Sequence, residues 1–103
     1  MDQTTRQQAL ALGREAHALT ESAYRADPAI QGGPLWDEKQ RILMADMSLH
    51  LLQTALQEGE LDLPRLKQNL YAILTIAAPF LPSHDLARHA QALLHDTGGL
   101  AIE

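Results

Sequence analysis

The stretch DEKQRILMADMSLHLLQTALQEG, Asp37 to Gly59, decides the fold. Asp37 is a good helix N-cap and Gly59 a good C-terminal stop, and no proline interrupts the residues between them. Ile42, Leu43 or Ala45, Leu49, Leu52 and Leu56 recur at helical spacing, which predicts an amphipathic helix over about 37–58. Met44, Met47 and Leu51 fall on an adjacent flank, so the apolar arc is wider than one packing seam requires. Such a helix has two neighbours to touch, or a neighbour and another subunit.

Working outward, the punctuation of the chain delimits three more helices. Upstream, Ala9, Leu12, Ala16, Leu19 and Ala23 form one apolar stripe on a helix over about 5–26, closed by the break Asp27-Pro28-Ala29-Ile30-Gln31-Gly32-Gly33-Pro34. Downstream, Asp62-Leu63-Pro64 reads as N-cap, N1 and N2 of a helix over about 63–78. Leu66, Leu70, Ile73, Leu74 and Ala77 give its apolar face, and Ala72 with Ile76 widen it nearly all round, as suits a central helix. Pro79 and Pro82 end that run. Ser83 then caps a fourth helix over about 83–95, with Leu86, Ala90 and Leu93 as its stripe and Gly98-Gly99 as its stop. The expected architecture is a single all-α domain spanning 1–103, an antiparallel four-helix bundle.

Residue usage agrees. The chain has 19 Leu and 16 Ala against 5 Ile and no Val, and only 4% of its residues are aromatic, so the side chains from which sheets are built are scarce. With no Cys, disulfides, thiolate metal sites and a thiol nucleophile are excluded. The polar opening residues carry no apolar leader run, and no stretch reaches the ~18 apolar residues of a membrane span, so the cytoplasm is the expected location and no membrane is an expected partner. Eight Lys and Arg against thirteen Asp and Glu, the bases scattered, argue against nucleic acid as a partner.

Five histidines raise the question of a metal. His50 follows Asp46 by four residues and His89 follows Asp85 by four, so each pair shares a helical face. Asp46, His50, Asp85 and His89 on facing helices would supply four N and O ligands to Zn or Fe. The plainer reading is two exposed i,i+4 ion pairs, and the Glu-x-x-His of bundle di-iron sites is missing. His95 in a last turn suits the helix dipole. His17 lacks the Lys and Gly that accompany a phosphorylated histidine in phosphotransfer bundles, since Thr20 and Glu21 stand in those places.

The segment Leu43 to Leu52 resembles the second metal-binding helix of the MazG-type nucleotide pyrophosphohydrolases. That resemblance implies an all-helical, Mg²⁺-dependent hydrolase of nucleoside triphosphates. Asp46 matches the aspartate of the family's Glu-x-x-Asp, Leu43 occupies the glutamate position, and Glu15 and Glu21 lie six residues apart where the family has a Glu-x-x-Glu.

Trp36 stands beside Leu35 at the mouth of the second helix, either stapling the long loop to the bundle or anchoring a partner. No nucleophile elbow or phosphate-binding glycine loop is present. The leading expectation is therefore a small acidic interaction or regulatory module that forms a homodimer or binds a protein partner through Trp36, Met44, Met47 and Leu51. No cofactor and no catalytic residue are expected on that reading. A metal-binding or hydrolytic bundle is the alternative.

Overall fold

In the computed structural model, which describes residues 1–95, four helices are separated by non-helical segments, the longest of them residues 27–35: α1 (Gln3–Ala26), α2 (Trp36–Leu56), α3 (Leu63–Ala77) and α4 (Leu86–His95). Two 3₁₀ turns, Ala78–Phe80 and Pro82–His84, link α3 to α4. No strand occurs among the described residues. The expected stop at Gly98-Gly99 lies outside them.

Caps set the boundaries. Asp2 accepts a hydrogen bond from the Thr5 N–H at 2.7 Å and opens α1 two residues earlier than its apolar pattern predicts. Asp62 does the same for α3 through the Arg65 N–H at 3.0 Å, with Pro64 in the first turn. Asp37 is not the cap of α2. The helix starts at Trp36 without a side-chain cap, and Asp37 and Glu38 lie in its first turn, where the helix dipole favours acids. Ser83 likewise does not open α4. Pro82 and Ser83 are taken up in a 3₁₀ turn, Asp85 adopts the left-handed conformation with φ 56°, and α4 begins at Leu86.

The result is an all-α antiparallel bundle in which each helix packs chiefly on the next in sequence: α1 on α2, α2 on α3, α3 on α4. This gives α2 its two neighbours and explains its wide apolar arc. Met47 shares a helical face with Trp36, Gln40 and Thr54; Thr54 bonds α3, and Trp36 and Gln40 line a cleft with its C-terminal end. Met44, Met47 and Leu51 are half-buried, as is Trp36.

Serial packing leaves the molecule open. Its radius of gyration is 15.7 Å, against about 13 Å for a compact domain of this length. Among the described residues the fully covered hydrophobic side chain is the small Ala90, with no large side chain completely buried.

Candidate functional site

The contact between α1 and α2 is polar at its centre, contrary to the leucine-stripe expectation. The stripe predicts Leu12 and Leu19 in the core, yet they are 65% and 73% exposed. Instead α1 turns Gly13, His17, Thr20 and Tyr24 toward α2. These positions are separated by four, three and four residues, so they form one helical face rotated roughly a third of a turn from the leucines.

Two features enforce that rotation. Gly13 is buried so closely against α2 that a Cβ built there would lie 2.9 Å from Leu52 Cδ2. The polar groups of the two helices also complete one another. Asp46, 5% exposed on α2, accepts a hydrogen bond from the Thr20 hydroxyl at 2.6 Å. The Thr20 hydroxyl also lies 3.1 Å from the His17 carbonyl, but its single proton goes to the stronger acceptor, the carboxylate.

Around Asp46 the two imidazoles converge. His17 Nε2 lies 2.9 Å from His50 Nε2 and 3.4 Å from Asp46 Oδ1, while His50 Nε2 is 3.6 Å from Asp46 Oδ2. The rings meet edge to face at 88° with centroids 4.5 Å apart. Two Nε2 atoms at that separation can share one proton, with one ring donating and the other accepting. The side chains of Asp46, His17 and His50 are 7%, 20% and 39% exposed, so the cluster opens toward solvent on its His50 side.

Cations tie down both ends of this helix pair. Arg6 donates to the Leu56 carbonyl at 2.6 Å, satisfying the end of α2. At the other end Lys39 donates to the carbonyls of Asp27 and Ala29 at 2.9 and 3.3 Å and lies 4.8 Å from the Tyr24 ring centre. These bonds hold the start of the long loop, and with it the end of α1, against α2 and fix the register that brings His17 opposite Asp46 and His50.

The structure thus keeps Asp46 and His50 together but supplies His17 as their neighbour in place of Asp85 and His89. Asp85 precedes α4 and pairs with Arg88 at 2.7 Å, and His89 is exposed on that helix. Helix α4 packs on α3, away from the α1/α2 seam. His17 carries no spacing signal toward Asp46, because 29 positions separate them in sequence; Gly13, four residues before it, is the local sign that α1 approaches another helix at this face. Trp36 borders a cleft with Gln31, Thr75, Ile76, Pro79 and Phe80, closing the loop onto the end of α3, and its ring centre lies 5.9 Å from Lys39 Nζ.

One carboxylate and two imidazoles form a donor set for a borderline transition metal. They do not suit the hard, oxygen-seeking Mg²⁺ implied by the pyrophosphohydrolase resemblance, for which several carboxylates are needed. No helix among the described residues is long and apolar enough to cross a membrane. No family model, no curated protein and no solved structure matches the chain.

Proposed function

We propose that this chain is a small acidic interaction module of the cytoplasm that works as a homodimer, with a second copy seated on the open flank of the α1/α2 pair. The observation that carries this reading is the outward-facing leucine stripe of α1. Leu12 and Leu19, seven residues apart, share one side of the helix and are largely exposed. Beside Leu19, a groove of about 470 Å³ runs between the helices, lined by Leu19, Ala23, Ile42 and Ala45 and rimmed by Glu38 and Arg41.

Charge favours a second copy as occupant. The rim carries one acid and one base, Glu38 and Arg41, paired at 2.8 Å. A rim of mixed sign tolerates its own image across a two-fold axis, where a rim of one sign would repel it.

Sedimentation of the wild-type chain and of Leu19→Glu tests the proposal. The wild type should sediment at twice the protomer mass and Leu19→Glu at the protomer mass, with its helix content retained because residue 19 is exposed. A wild type that stays monomeric at high concentration, or a Leu19→Glu variant that still dimerises, would refute it.

A further inference from the structure

We infer that His17, Asp46 and His50 form a binding site for one divalent first-row transition-metal ion, with Zn²⁺ as the representative ligand. The site lies within one protomer, between α1 and α2, and does not depend on self-association.

Geometry is the first argument. Two ligands bound to one ion at 2.0–2.2 Å, with angles between 90° and 110°, lie about 2.8–3.6 Å apart. Taken pair by pair, the His17 Nε2–His50 Nε2 separation of 2.9 Å, the 3.4 Å from His17 Nε2 to Asp46 Oδ1 and the 3.6 Å from His50 Nε2 to Asp46 Oδ2 fall in that range, so each imidazole faces one oxygen of the carboxylate. One ligand atom from each of the three residues lies within 4.8 Å of the others, two from successive turns of α2 and one from the facing helix. The ring nitrogens that converge are the outer Nε2 atoms, whose lone pairs are available when each imidazole is neutral with its proton on Nδ1, so metal binding displaces the proton that the two Nε2 atoms share.

The surroundings are the second argument. The carboxylate is almost fully buried and held by the Thr20 hydroxyl, as an oriented ligand requires, and Thr20 is itself set by the register that Gly13 and Lys39 impose. The partial exposure of His50 gives the ion an entry path and leaves room for water to complete its coordination. Two imidazoles and one carboxylate favour Zn²⁺, Co²⁺, Ni²⁺ or Fe²⁺ over Mg²⁺ and Ca²⁺.

The test is titration calorimetry of chelator-treated full-length protein with Zn²⁺, accompanied by the visible spectrum of the Co²⁺-loaded chain. One ion per chain should bind, and Mg²⁺ should produce no heat. His17→Ala and His50→Gln should each abolish stoichiometric uptake, with folding verified by circular dichroism; His50→Gln, on the open side, is the variant least able to disturb the bundle. Thr20→Val retains every ligand and should weaken Zn²⁺ binding about tenfold. Absence of stoichiometric uptake by the wild type would overturn the inference. So would binding that survives in both histidine variants, because the ion would then be held by the exposed His84, His89 or His95.

Discussion

The two seams of α2 are built from different materials. Toward α1 the helix presents Asp46 and His50, answered by His17 and Thr20, with Gly13 allowing the backbones to close. Toward α3 it presents Trp36 and Met47 at one end and, at the other, Gln53 and Thr54 beside Gln68 and Asn69, with the Thr54 hydroxyl donating to Asn69 Oδ1 at 2.5 Å and no buried carboxylate. Apolar side chains pack adequately in many arrangements, whereas a carboxylate in a helix interface is tolerated only where its partners converge on it. The α3 side therefore stabilises the molecule, and the α1 side sets one register and assembles chemically capable groups. The same rotation of α1 that forms the polar seam turns Leu12 and Leu19 outward. The candidate metal site and the proposed dimer surface are thus two consequences of one packing choice.

The contrast can be broken most severely on the apolar side. Ala90, 1% exposed, lets α4 lie close to α3, and Ala90→Glu would bury a charge with no partner. A loss of about 4 kcal/mol or more in urea-unfolding stability is expected. Next is Gly13→Leu at the closest approach of the polar seam, where overpacking should cost about 1–3 kcal/mol and separate His17 from Asp46. Gly13→Ala should change stability by less than ~1 kcal/mol, because the gain in helix propensity offsets a small shift of the Leu52 methyl. Thermal melts of the two variants would separate a close-approach effect from a simple helix-propensity effect.

A smaller effect is expected at the start of α1. The Asp2 carboxyl is held below its usual pKa by the backbone and side-chain hydrogen bonds of Thr5. Its cap is complete above about pH 4, where the unfolded chain's carboxylate is also ionised, and is lost as the pH falls through the depressed native value. Amide exchange should show the first turn of α1 fraying in acid, while an Asp2→Asn chain lacks that pH dependence.

The fold was legible because it depends on punctuation and residue type. Prolines, glycine pairs and the Leu/Ala excess delimit four helices, and α1 and α3 end within a residue of the boundaries predicted for them. The start of α4 was less legible, because the left-handed Asp85 depends on how the preceding 3₁₀ turns stack. Two of the three candidate metal ligands were readable as the i,i+4 pair Asp46 and His50. The third, His17, was not, since a stripe of Leu and Ala ranks faces by hydrophobicity and is blind to a glycine contact and a hydroxyl–carboxylate bond formed across 26 residues.

In the proposed dimer the α1 leucine stripe, rather than the Met47 and Leu51 flank of α2, faces a second copy of the chain. The most direct test is a methyl NMR spectrum of a mixture of isotope-labelled and unlabelled protein, filtered for contacts between copies. Intermolecular cross-peaks are expected from the Leu12 and Leu19 methyls and none from Met47. Cross-peaks from Met47 and Leu51, or none at all, would contradict it.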